Sequence, residues 1–323
     1  MLDKKNAASA AEEVDLTNPL TGIVLKILSV AVFVGMSSFI KGSGQVPAGQ
    51  IVFFRSFFAI FPILLFQAVR GELRSALSTE RPLNHVLRGV VGVASMGLGF
   101  FGLTRLPLPE AITLNYAQPL LVVVFSALFL GETIHVYRWS AVLVGMMGVF
   151  IVSWPKLTLL SSPAGLSDQQ AIGVAAALAS AGVSAVALLL VRNLVRTEKT
   201  ATIVLWFSLT ASVGGLLTVP FGWHGLTPQQ VAFLVAAGFC GGVAQILMTE
   251  AYRHAEASTV APFEYTSMIL GIIVGYMAFD DLPTIHTLIG GAIVVAAGIF
   301  IIWRERQLGL RRGAARKIVP PQG

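Results

Sequence analysis

The residue in this sequence best suited to chemistry is a carboxylate inside an apolar window. Glu264 stands in the run Ala261-Pro-Phe-Glu-Tyr-Thr266, about six residues inside an apolar window, which at ~1.5 Å per residue is about 9 Å deep. Such a group serves either as a proton-coupling site or as a ligand for a polar substrate group. Its structural alternative is to pair with a buried base, and Arg55 is the candidate. Depth counting leaves those two about 13 Å apart across a roughly 30 Å core, which weakens that pairing. Arg55 itself could bind an anion through its planar fork or satisfy carbonyls at helix ends.

Asn115 and Gln118 are three residues apart, and so are Glu264 and Ser267, so each pair shares one helix face. Two such faces could line one cavity, or hydrogen-bond between helices and hold a bundle together. Tyr116 and Tyr265 flank these positions and bring a ring and a hydroxyl, which suits a flat aromatic substrate. The expected substrate-binding set is therefore Asn115, Tyr116, Gln118, Glu264, Tyr265 and Ser267, with Glu264 and Arg55 serving coupling or structure. Phe53, Phe54, Phe57, Phe58 and Phe61 read as lipid contact or packing.

Other chemistries lack their residues. The single cysteine, Cys240, permits no intrachain disulfide and no thiolate metal cluster. His85, His135, His224, His254 and His286 fall near helix ends and read as solvated. No phosphate-binding GxxxxGK[ST] loop occurs, so ATP-driven transport within this chain is not expected. No catalytic set, metal or cofactor is expected either.

The elements that must position these residues are apolar helices. Of 323 residues, 55% are hydrophobic and 12% charged, and the mean hydropathy is +0.79. That composition belongs to an all-α integral membrane protein. Ten windows are long enough to span, at about 20–40, 50–69, 83–103, 110–130, 137–154, 170–191, 201–219, 231–250, 259–279 and 285–303. Pro119 and Pro262 should soften the fourth and ninth near their polar residues. Gly238 with Gly242, and Gly271 with Gly275, have the spacing of close helix packing.

The pattern of residues 110–154 recurs. A shift of 149 puts Asn115 on Glu264, Tyr116 on Tyr265, Gln118 on Ser267, Glu132 on Asp281 and Trp154 on Trp303 without a gap. Extended backwards, it matches Gly89 with Gly238 and Gly92 with Gly241. The organisation expected is a tail at 1–18, a first five-helix repeat at 19–155, a second at 170–303 and a basic tail at 304–323. Five is odd, so the second copy enters the membrane inverted, an architecture of secondary transporters.

Basic residues set the orientation. With both termini cytoplasmic, Arg70, Arg74, Arg81, Arg88, Arg138, Arg192 and Arg196, among others, fall inside, against Lys41, Arg105 and Lys156 outside. Lys26 is expected to snorkel to the inner interface. The net charge of +6 is thereby explained by the lipid bilayer, and nucleic acid is not an expected partner. A homodimer is left open.

Two five-helix halves, the turn Leu130-Gly131-Glu132 and an arginine early in the second helix resemble the drug/metabolite transporter superfamily, specifically its EamA family. The runs Gln50-Ile-Val-Phe-Phe-Arg55 and 261–266 resemble its branch with riboflavin and S-adenosylmethionine carriers. The second half has Asp280-Asp281 where that family has Gly-Glu. The resemblance implies a carrier of a small metabolite in the bacterial inner membrane, working by alternating access, with riboflavin uptake the leading reading. S-adenosylmethionine carriage or export of an amino acid or other metabolite is the alternative. A membrane-embedded enzyme is the remote one, because Arg55 and Glu264 do not sit at one depth.

Overall fold

The computed structural model describes residues 19–71, 73, 76–79, 81–130, 136–157, 169–194, 198–254 and 261–318, and all regular structure among them is helical. In order these are α1 (Pro19–Gly42), α2 (Ala48–Val69), α3 (Pro82–Leu103), α4 (Leu108–Asn115), α5 (Ala117–Leu130), α6 (Val136–Leu157), α7 (Gln169–Leu194), α8 (Thr200–Leu216), α9 (Pro228–His254), α10 (Thr266–Phe279) and α11 (Ile285–Ile318). Short 3-10 turns occupy Val219–Phe221 and Ala261–Tyr265. By length and composition α1, α2, α3, α7 and α9 can each cross a membrane, and α6, α8, α10 and α11 contain shorter apolar stretches. The expected tail at 1–18 and the turn at Gly131 lie outside the described residues.

The fourth expected window is split into α4 and α5, with Tyr116 between them. Pro119 explains the break: it has no N–H to donate to the Asn115 carbonyl one turn back, and it disfavours helical backbone just before itself. Tyr116 N–H instead closes a tight turn onto the Thr113 carbonyl at 3.1 Å. The ninth window begins as a 3-10 turn containing Pro262 and becomes α-helical only at Thr266. Both interruptions fall where the repeat aligns them, Tyr116 with Tyr265.

Packing joins helices distant in sequence. The main pairings are α1 with α9, α3 with α7, α6 with α11, α2 with α9, α2 with α8, α3 with α8, and α5 with α7, and α4 also meets α10. Close approach at these crossings depends on missing side chains. A Cβ on Gly242 would meet the Pro62 ring and the Ala59 carbonyl of α2, and Gly148 and Gly290 face each other's carbonyls where α6 crosses α11. Large apolar side chains such as Leu65, Met147, Val213 and Met277 remain exposed around the outside, as lipid contact requires.

Three features differ from the sequence expectation. Lys26 does not snorkel: it is 1% exposed and ion-paired with Glu264, because α1 packs along α9 and beside α10 and turns this face inward. His85 is buried, stacked on Trp206 at 5.6 Å between ring centres, with Nε2 3.8 Å from the Glu198 carboxylate. The basic stretch after 303 continues as helix to Ile318, since it is rich in helix-forming Arg, Leu, Ala and Gln and meets no proline before Pro320.

Candidate functional site

A cavity of about 410 Å³ lies among α1, α2, α3, α4, α5, α7, α8 and α9. That is within the range of pockets for small metabolites. Asn115 and Gln118 reach it from either side of the α4–α5 break, and Gln245 reaches it from α9. Ser95, Ser180 and Ser184 form a hydroxyl cluster on its wall: Ser180 donates to the Ser95 carbonyl at 2.8 Å and Ser95 bonds Ser184. Apolar contact surface comes from Phe33, Phe100 and Phe207, with Met36 and Met96. The phenylalanine stripe of α2 packs on itself instead, with Phe53 over Phe57 at 5.5 Å and Phe58 and Phe61 against Phe239 of α9.

Arg55 and Arg88 both line this cavity. Arg55 is 7% exposed, and neither guanidinium has a hydrogen-bond or ion-pair partner among the described residues; Arg55 Nε and Arg88 Nε and Nη1 are buried and unsatisfied. Arg88 lies over the Phe207 ring at 3.8 Å. The two cations are near enough to act on each other. Counting Arg88 with the inner segments missed this role. Pro82 was the available signal, because proline favours the first helical turn and so places Arg88 nearly two turns inside α3.

The remaining sequence candidates meet in a second cluster, at the two helix breaks. Tyr116 and Tyr265 pack edge to face with ring centres 5.2 Å apart. Ser267 Oγ donates to the Glu264 carbonyl at 2.6 Å. With that proton committed, Tyr116 O–H donates to Ser267 Oγ at 2.5 Å. Glu264 pairs through its carboxylate with Lys26, and its own side chain is 47% exposed. The sequence candidates therefore divide: Asn115, Gln118 and Arg55 face the cavity, while Tyr116, Glu264, Tyr265 and Ser267 join the broken helices to each other and to α1. Lys26 was the partner that depth counting missed.

One end of the bundle is tied together by charge. Lys41, at the end of α1, is 3.1 Å from the Asp281 carboxylate and donates to the Leu106 carbonyl at 2.6 Å. Asp281 also accepts the Leu108 N–H at 3.0 Å. The connections α1–α2, α3–α4 and α10–α11 are thus held together just beyond Leu103, which lines the cavity.

Comparison with known proteins agrees with this architecture. The profile of the EamA-like transporter family matches residues 20–154 and 171–304. The pseudopaline exporter CntI of Pseudomonas aeruginosa is 29% identical over 284 residues, covering 86% of this chain and 95% of that protein. An S-adenosylmethionine uptake transporter of Rickettsia bellii is 26% identical over 258 residues, 80% of this chain and 84% of the relative. A riboflavin transporter of Rhizobium johnstonii is 28% identical over 289 residues, 88% and 89% of the two chains. A protein crystal structure, 19% identical, superposes with a TM-score of 0.60 over 86% of this chain and 96% of that one, which shows a shared fold. Two matched segments, one in each half, cover most of the sequence, and the chain belongs to the EamA-like transporter family.

Proposed function

We propose that this protein is a secondary transporter that carries a small metabolite across the bacterial inner membrane by alternating access, with both termini cytoplasmic. The observation that carries the reading is the central cavity bounded by helices of both halves, beside the point where the repeated tyrosines Tyr116 and Tyr265 touch. Inverted repeats are supported by the packing. When each helix is exchanged for its counterpart 149 residues away, the pairing of α1 with α9 becomes that of α7 with α3, and α2 with α9 becomes α8 with α3. Pairings of α2 with α8 and α6 with α11 map onto themselves. In that arrangement the Lys41–Asp281 lock is the closed outer gate.

Riboflavin uptake, supported by the name of the Rhizobium johnstonii relative, is the first substrate to assay. S-adenosylmethionine is disfavoured by charge: no carboxylate lines the cavity among the described residues, and its cationic centre would face Arg55 and Arg88. Growth of a riboflavin auxotroph, with uptake of labelled riboflavin, should depend on this chain. Uptake equal to the empty vector removes riboflavin. Absence of transport across a wider metabolite panel in proteoliposomes removes the carrier reading itself.

A further inference from the structure

A buried cation without a counter-charge is costly, and inside a membrane protein such groups pair with one another, with carbonyls or with a transported species. Here two guanidiniums face one cavity and neither has a partner among the described residues. Both arginines belong to the first copy, but the glycines beside them follow the internal repeat. A Cβ at Gly241 would come within 3.0 Å of Arg55 Nε, and one at Gly92 within 2.9 Å of Arg88 Nη1. Gly92 and Gly241 are the glycines that the 149-residue shift superimposes. Each copy of the repeat therefore makes room for one guanidinium, and the remaining polar lining, Asn115, Gln118, Gln245 and the serines, is uncharged.

We infer that the cavity selects a soluble organic anion, whose carboxylate or phosphate oxygens are held by Arg55 and Arg88 and whose apolar body lies against Phe33, Phe100 and Phe207. This rests on the cavity being the transport site, and within that reading it favours a charged substrate class over neutral riboflavin. Guanidinium forks match both carboxylate and phosphate through paired N–H donors. Arg88 is steadied by the Phe207 ring that it lies over.

The test uses matched pairs that differ in charge: phthalate against phthalamide, and flavin mononucleotide against riboflavin. Binding is measured by tryptophan fluorescence on the whole chain in phosphatidylcholine nanodiscs, where no anionic lipid headgroup competes. The anionic member of at least one pair should bind about tenfold or more tightly than its neutral twin. Arg55→Gln or Arg88→Gln should each weaken the anion about 10- to 100-fold and change the neutral twin less than about twofold. The double variant Arg55→Lys/Arg88→Lys, which keeps the charge, should keep part of the preference and shows that loss in the glutamine variants is not misfolding. Equal binding of both members of both pairs, or an anion preference untouched in both glutamine variants, overturns the inference. Added phosphatidylglycerol that abolishes the preference assigns the cations to lipid and overturns it too. Counterflow in proteoliposomes separates this from the carrier reading. Exchange of neutral members alone sinks the anion site and keeps the carrier, whereas anion binding with no exchange of any member sinks the carrier and keeps the site.

Discussion

Replacing Glu264 should harm the fold more than replacing its partner Lys26, although the two make one ion pair. The reason is their unequal burial, 1% exposed for the lysine side chain and 47% for the glutamate. Glu264→Gln leaves an ammonium enclosed among α1, α9 and the 3-10 turn without its counter-charge. Breaking a buried pair in this way costs about 3–5 kcal/mol, and the lower end applies because Lys26 makes at least one further interaction. Lys26→Met leaves a half-exposed carboxylate, with a side chain of similar length in the packed site, and should cause the smaller loss of the two. The double variant Lys26→Met/Glu264→Gln removes both charges and should return to within about 1 kcal/mol of the parent, a coupling of about 2–4 kcal/mol. Thermal unfolding in detergent, followed by tryptophan fluorescence, should rank the four proteins, with the Glu264→Gln midpoint lower by about 5 °C or more. Equal loss in the two single variants, with additive loss in the double, would refute this reasoning.

Other consequences are equally direct. A proton-coupling role for Glu264 would show as a Glu264→Gln transporter whose rate no longer responds to pH, and an unchanged pH profile would assign the residue to structure alone. Asp281→Asn weakens the bond to Lys41 and to the Leu108 N–H, a charged interaction worth about 1.5–3 kcal/mol. Maleimide labelling of a cysteine at Ser37, a cavity position, should then speed up about 10- to 100-fold from that end of the bundle. Gly242→Val drives a side chain into the Pro62 ring and should cost about 1–3 kcal/mol, whereas Gly35→Ala, which meets nothing within 4 Å, should not destabilise.

The sequence made the helices and their interruptions legible because both have local causes. Apolar windows follow from the length needed to cross a bilayer, and the breaks at Tyr116 and Tyr265 come with Pro119 and Pro262 nearby. Asn115 and Gln118 line one cavity as their spacing suggested, although the helix is broken between them and no shared helix face explains it. What could not be read was which side of a uniformly apolar helix turns inward. Lys26 lies 238 residues from Glu264, and only the packing of α1 against α9 and α10 distinguishes an enclosed ammonium from one reaching the interface. Arg88 was obscured because the window at 83–103 contains it while the charge count assigns it to the inner side, and only the packing of α3 against α8 brings it to the cavity. His85 was obscured in the same way, since nearness to a helix end does not reveal the neighbouring Trp206 and Glu198.

The central claim, a cavity opened alternately to the two sides of the membrane, is tested most directly at Asn115, which lines the cavity from the broken fourth span. In a chain whose Cys240 has been replaced by alanine, a single cysteine at position 115 would be challenged with an impermeant maleimide applied to one face of reconstituted vesicles at a time. The account predicts labelling from each face in turn, slowed from both by a transported substrate. Labelling from one face only, with and without substrate, would contradict it.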